Sequence, residues 1–444
     1  MRLPADVTLQ HGSKRKFEGE DQAPEEDTET PAVRPSRPHV KNHRRKRPRV
    51  LPSSQKQLQL HHVGGDYEIE TVPLPALHHP EELLIEVKSI GLNPIDWKAA
   101  AYGYGIPSFP CVYGREFVGK IVAKKETEAD DLKVGDTVLA ISTDYRDYRK
   151  AAFQEFAISS AFNVLRVPET ISTETISGMG VAFVTATLSL GVCLGQKFFM
   201  KKSGKELDLC LLAQTQQEHE VPEDVRDVVF NGIPTAERAQ IGDWLLIMGA
   251  SAISGQIAVQ LAKMCGMRVV AVVDTKRHKE RLENLGADLV VDRHNLEESA
   301  EIIRKETKGE VRLGLDTIGR ETAIWCESLL LQNAPKKETP KDGQRSHLVC
   351  LASGPKQPHP QVRSHQLPIK LFHTNPEIGR TLSSWMYELL DSKAIKLIEV
   401  DVVEGGLKAV NQSLGRLRRH EVSGKRIVVN MGEGRSRTKR LRRS

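Results

Sequence analysis

WLLIMGASAISGQIAVQLAKMCGMRVVAVVD, residues 244–274, decides the fold. An apolar run, Trp244 to Met248, meets a run of small residues, Gly249 to Gly255. Apolar residues then recur at helical spacing as far as Met264, and a second apolar run ends at Asp274. Strand, turn, helix and strand within about 30 residues make a βαβ unit, the building block of a parallel sheet. The pattern continues downstream. RHKERLENLGAD (277–288) reads as a helix with a glycine stop, LVVD (289–292) as a short strand, GLDTIG (314–319) as a strand end and LVCLAS (348–353) as a later strand.

Upstream the period changes. LLIEVKSIGL (83–92) and EFVGKIVAKK (116–125) alternate apolar and polar residues, and KVGDTVLAI (133–141) runs from a Gly-Asp turn into an apolar strand. This third of the chain reads as antiparallel β. GMGVAFVTATLSLGVCLG (178–195) is predicted to be a buried helix, and the polar stretch 201–238 an inserted loop. Another polar loop is expected near Pro335–Arg345. IGRTLSSWMYELLDSKAI (378–395) and GGLKAVNQSLGRLRRHEV (405–422) read as helices, and KRIVVNM (425–431) as a closing strand.

Composition narrows the function. The 444 residues carry a net charge of +6, unevenly placed. Lys41–Arg49 and Arg435–Arg443 each hold six Lys or Arg and no acid; with those twelve set aside, 52 bases face 58 acids. That split disfavours a globally basic, sequence-specific nucleic-acid-binding fold. The two basic runs fit nuclear import signals, polyanion-binding tails or plain solvated tails. No apolar run is read as approaching membrane-spanning length, so no span is expected, and the N-terminus lacks the apolar stretch of a secretory signal. The six cysteines form no CxxC pair, which fits reduced thiols in an intracellular, cytoplasmic setting. Residues 1–54 are too poor in apolar side chains to offset their ordering entropy and are expected to be disordered.

The chemistry centres on the small-residue turn. A dinucleotide site needs a strand end, backbone without bulk and helix N-terminal amides facing a pyrophosphate. Gly249, Ala250, Ser251, Ile253, Ser254 and Gly255 offer such a turn, although the middle glycine of GxGxxG is missing. At the second strand end, Asp274 suits a ribose hydroxyl, whereas Lys276, Arg277 and His278 suit a 2′-phosphate. An ordinary strand-to-helix turn and a solvated helix start are the bland alternatives.

Eight stretches in register carry a resemblance: GLNPIDWK (91–98), FPCVYGREFVGKIV (109–122), LKVGDTV (132–138), AFQEFA (152–157), the glycine turn, ENLGAD (283–288), LDTIG (315–319) and VSGKRIVV (422–429). Over residues 57–431 the chain resembles the medium-chain dehydrogenase/reductases. Its nearest likeness is to zinc-free fungal members, the trans-acting enoyl reductases of polyketide pathways and quinone-oxidoreductase-like proteins. The resemblance implies an α/β chain: a GroES-like β domain (55–180 and 380–432) plus a Rossmann doubly wound parallel-sheet domain (181–379), flanked by disordered basic tails (1–54 and 433–444). It also implies NADP(H) bound through the glycine turn, Lys276, Arg277, Ser353 and Lys425.

The same resemblance frames the metal. Zinc-dependent relatives use Cys, His and Cys at positions that match Asn93, Arg115 and Val181 here, none a ligand for zinc. Lys98 matches a lysine beside the nicotinamide and substrate, and Thr185 a threonine at the nicotinamide edge. Polyketide-pathway relatives carry a hydroxyl where this chain has Ile95, so the proton donor is unassigned. The expected activity is NADPH-dependent reduction of an activated C=C bond in an enone, a quinone or a polyketide enoyl chain, with a small-molecule or acyl-chain substrate, a polyketide synthase as partner in trans, and a monomeric or homodimeric state. The rival reading is a catalytically weak, cofactor-binding regulator, nuclear if the basic runs act as import signals.

Overall fold

The computed structural model describes residues 50–125, 131–332 and 345–432. The extension up to residue 49, most of the polar loop near Pro335–Arg345 and both basic runs lie outside the described residues. Among the described residues, regular structure starts at Ser54, in an antiparallel pair of strands, Ser54–Gln59 and Glu68–Pro73.

The 244–274 stretch forms the strand Trp244–Met248, the helix Ile253–Met264 and the strand Arg268–Val273. These strands sit in a six-stranded, wholly parallel sheet. From edge to edge it runs Leu289–Asp292, Arg268–Val273, Trp244–Met248, Val311–Asp316, Ser346–Cys350 and Val362–Gln366. Trp244–Met248 is buried along its whole length, as a strand covered by helices on both faces must be. The order reverses beside it, because the chain first builds toward one edge and then returns to build toward the other. Ligands bind in the crevice outside the strand ends at such a switch point.

The second sheet mixes early and late chain: Glu399–Val403, Lys425–Asn430, Glu82–Gly91, Glu116–Lys124, Thr137–Ile141 and Val164–Arg166, with Phe156–Ser160 also paired to Glu82–Gly91. All pairs are antiparallel except Glu399–Val403 with Lys425–Asn430. The C-terminal strand thus completes the N-terminal domain, as the resemblance implied.

Three expectations need correction. The stretch 201–238 is no loop: it holds half of a hairpin (Phe198–Met200 with Lys205–Leu207) and the helices Leu209–Ala213 and Glu223–Phe230. Val221, Val225, Val228 and Val229 are buried, and this spaced valine set was masked by the polar residues between them. The helix Pro376–Asp391 is continuous, so a junction drawn at 379/380 falls inside it. Its Trp385 packs on Phe183 and Phe198, with ring centroids 5.6 and 4.8 Å away. Finally, Thr173–Cys193 is long and apolar enough to cross a membrane, against the reading that no run comes near that length; 94% of its most apolar window is buried inside the protein, as in a core helix.

Candidate active site

The glycine turn forms at the C-terminal end of the central strand. Gly249 adopts φ +73°, a left-handed conformation natural to glycine. A Cβ there would stand 2.4 Å from Thr317 Oγ1 and 2.5 Å from Ile318 Cδ1. At Gly255 a Cβ would meet the Ala250 backbone at 2.8 Å, so the helix approaches the strand end closely only because residue 255 is glycine. Ala250 and Ile253 are buried in the core, whereas Ser251 and Ser254 stay half-buried at the surface of the turn. Gln256, which sequence reasoning passed over, ties the turn to the closing segment: its Nε2 donates to Ser251 O at 2.8 Å and to Gly424 O at 3.0 Å. Ser353 is half-buried in the loop after Ser346–Cys350. Lys425 is exposed, next to Gly424, and its Nζ lies 3.0 Å from Glu399 Oε2.

Asp274 follows the second strand and precedes the helix Thr275–Leu285, whose Lys276 and Arg277 lie exposed in its first turn, neither in an ion pair among the described residues. His278 does not join them. It is buried, its Nε2 lies 2.8 Å from Ser423 Oγ, and burial together with Arg277 lowers its pKa. The trio read as phosphate donors is therefore a pair, because one helical turn carries the third side chain round to the core face. Partial desolvation works against the Asp274 carboxylate, but His294, 3.4 Å away, and Arg277 hold its pKa below the usual value. Beside these residues is a cavity of about 230 Å³ lined by Gly249, Arg293, His294, Ile318 and Thr322 among others. Arg293 and His294 were missed from sequence; they follow the strand Leu289–Asp292, and residues at the C-terminal ends of parallel strands line such crevices. Bulk-free turn, crevice and unpaired cations fit a nicotinamide dinucleotide.

Of the three positions that match the metal ligands of zinc-dependent relatives, Asn93 and Val181 both donate to Glu116. Asn93 Nδ2 donates to Glu116 Oε1 at 2.8 Å, and Val181 N donates to Glu116 Oε2 at 2.8 Å. Asn93 N donates to Asp96 Oδ2 at 2.7 Å, opening the helix Pro94–Tyr102. Arg426 faces Glu116 at 3.9 Å and donates to Gly178 O and Leu92 O. The Arg115 guanidinium lies between the rings of Tyr113 and Tyr145, 3.7 and 3.8 Å from their centroids. Burial raises the pKa of Asp96 to about 7, with Arg115 acting against it, and burial also raises that of Glu116. A primary amide engaged with a carboxylate, a cation and a valine give zinc nothing to bind, so the donor set does not fit that metal.

Lys98 is half-buried on the helix Pro94–Tyr102, with Nζ 5.9 Å from the Trp97 ring centroid and no hydrogen bond or ion pair among the described residues. Thr185 is 8% exposed on the helix Gly180–Leu188, one turn beyond Val181. Its carbonyl accepts from Ser189 Oγ at 2.7 Å. Glu116 binds the starts of both helices, and so fixes the segments that carry Lys98 and Thr185 relative to each other.

Residues 79–169 match the alcohol dehydrogenase GroES-like domain, and residues 255–330 the family described as zinc-binding dehydrogenase. The chain is 27% identical to the trans-enoyl reductase caaB of Aspergillus niger over 397 residues, covering 85% of this chain and 98% of that protein. It is 26% identical to the trans-enoyl reductase gkaC of Penicillium citrinum, with the same coverage. Among solved structures it is similar to the CurK enoyl reductase (TM-score 0.62, 21% identity, 85% of this chain and 99% of that one). It is also similar to mycobacterial Rv1454c complexed with NADPH (TM-score 0.62, 20% identity, 85% and 100%). Eight sequence stretches, a switch-point glycine turn and a β domain closed by the C-terminal strand agree with these likenesses: the chain is similar to the medium-chain dehydrogenase/reductases, and among them to the trans-enoyl reductases.

Proposed function

We propose that the protein is an NADPH-dependent reductase of activated C=C bonds, acting on an enone, a quinone or the enoyl chain of a polyketide synthase that it serves in trans. The observation that supports this reading is the pairing of a bulk-free crevice at the switch point with the Asn93–Glu116 hydrogen bond, at a position that matches a metal ligand of zinc-dependent relatives. When bound, the reduced nicotinamide supplies a hydride. The protein's own part is to bind, orient and stabilise charge. Ser251, Ser254 and the amides opening the helix Ile253–Met264 would hold the pyrophosphate. Lys276 and Arg277 would hold a 2′-phosphate, which favours NADPH over NADH. Lys98 would donate to the cofactor ribose, and Thr185 would sit at the nicotinamide edge. The names of the fungal relatives support an enoyl substrate and action in trans. The test is NADPH oxidation with a panel of enones, quinones and enoyl thioesters in the presence of chelator. Turnover of at least one class supports the reading; NADPH binding without turnover of any favours the cofactor-binding regulator.

A further inference from the structure

Asp274 sets up a conflict at the crevice end of the parallel sheet. A carboxylate that follows the second strand of a dinucleotide-binding unit accepts from a ribose 2′-hydroxyl and repels a 2′-phosphate. The cations just after it, Lys276 and Arg277, favour the phosphate. Opposite preferences thus share one strand end, and the partner of the carboxylate decides between them.

That partner comes from the neighbouring strand. Val273 pairs with Asp292, so Asp274 and Arg293 leave adjacent strand ends side by side. The turn after Asp292 is tied down twice: Arg293 N donates to Val273 O at 2.8 Å, and Ser299 Oγ donates to Asp292 O at 2.8 Å. It brings His294 Nε2 to 3.4 Å from Asp274 Oδ2. The place is the crevice itself. Gly249 N donates to Val272 O at 3.0 Å, just before Asp274, and Gly249, Arg293 and His294 line the same cavity of about 230 Å³. The His294 side chain is 56% exposed and that of Asp274 20%. An ion pair so open to water adds little to the stability of a fold. Its consequence lies in what the carboxylate can still do for a ligand.

We propose that His294 is a specificity-determining positioning residue: by engaging Asp274 it withdraws an acceptor from the ribose 2′-hydroxyl and offsets the charge that repels a 2′-phosphate, so that a strand end carrying the acid of an NADH site selects NADPH. This rests on the dinucleotide crevice proposed above and adds the residue that chooses between the two cofactors. Arg293, on the same turn and the same cavity wall, adds positive charge at that end. His294 acts through Asp274, so its influence disappears when residue 274 carries no charge.

The test is a double-mutant cycle in the full-length protein, with NADPH and NADH titrated separately by fluorescence. Wild type, His294→Ala, Asp274→Asn and the double variant are compared by the ratio of the NADH to the NADPH dissociation constant. In His294→Ala the ratio is expected to fall about 10-fold, because NADPH meets an uncompensated carboxylate while NADH binds as well or better. In the Asp274→Asn background the same substitution should change the ratio by roughly 2-fold or less. An unchanged ratio in His294→Ala would overturn the proposal. So would an equal loss of both cofactors, which would make His294 a prop of the turn, or an equal fall in both backgrounds, which would make it a direct phosphate contact. Failure of both dinucleotides to bind the wild type would instead overturn the reading on which the proposal rests.

Discussion

Replacing Gly249 by alanine isolates what the switch-point turn requires. The added methyl meets two costs. At φ +73° the left-handed backbone penalises an L-residue by about 1–2 kcal/mol. The methyl would also stand 2.4 Å from Thr317 Oγ1 and 2.5 Å from Ile318 Cδ1, and Thr317 is held in place, its Oγ1 donating to Met248 O and Gly249 O at 3.1 and 3.0 Å. Overpacking of this kind costs a further 1–3 kcal/mol or so, for a total of roughly 2–5 kcal/mol. Gly242 is the control. Its φ is +88°, but a Cβ there meets nothing within 4 Å, so Gly242→Ala should pay the backbone cost alone. Thermal melting of both variants should place Gly249→Ala several degrees below Gly242→Ala, at roughly 2–4 °C per kcal/mol. Fluorescence titration should show NADPH affinity falling in Gly249→Ala only, because the turn must move to admit the methyl. Equal melting temperatures, or undiminished NADPH binding by Gly249→Ala, would refute the argument that this glycine sets the shape of the crevice.

Three further outcomes are expected. Arg277→Ala should weaken NADPH by about 1.5–3 kcal/mol and NADH far less; equal loss for both would return Arg277 to the role of a solvated helix residue, with Asp274 then the better candidate for holding a ribose. Elemental analysis of purified protein should find no stoichiometric zinc, and chelator should leave activity intact; one zinc per chain would contradict the Asn93–Glu116 bond as the state of that site. His347 and His365 are stacked with ring nitrogens 2.8 Å apart; burial holds the His347 pKa down to about 3 and lowers that of His365, with the Glu237 carboxylate 2.8 Å from His347 Nε2. The unfolded chain therefore binds the extra protons, and stability contributed by the pair is present above about pH 6.5 and is lost as pH falls below it. Asp96, raised to about 7, acts in the opposite sense over part of that window, so the comparison is made between wild type and His347→Gln, which share it. The variant should lose less stability than the wild type between pH 7 and pH 5; an identical or steeper loss would remove the pair as the cause.

The centre of the parallel sheet was legible because Trp244–Met248 and Arg268–Val273 read as apolar runs and because Gly249 and Gly255 stand at the ends of the turn, whereas the edge strand Val362–Gln366, polar and half-buried, was not. Closure of the β domain by residues 425–430 was legible only through the resemblance, since no local pattern says which distant strand Lys425–Asn430 will pair with. The folded insert was hidden because its helix Glu223–Phe230 buries three valines among charged residues. At the site, the residue types at 93 and 115 gave away the missing metal ligands. What replaces them was not legible: Asn93 meeting Glu116, and Arg115 between Tyr113 and Tyr145, are contacts between segments far apart in sequence. His278 shows the converse, a cationic residue type in the expected run whose helical position turns it inward.

Reduction of carbon–carbon rather than carbon–oxygen double bonds without a metal is tested by turnover of an α,β-unsaturated ketone or thioester with NADPH deuterated at the transferable position of C4, in chelator, with the product examined by mass spectrometry and proton NMR. A saturated product that keeps its carbonyl and carries one deuterium on the β-carbon is expected. Deuterium on the carbinol carbon of an allylic alcohol, or turnover only after zinc is added, would contradict it.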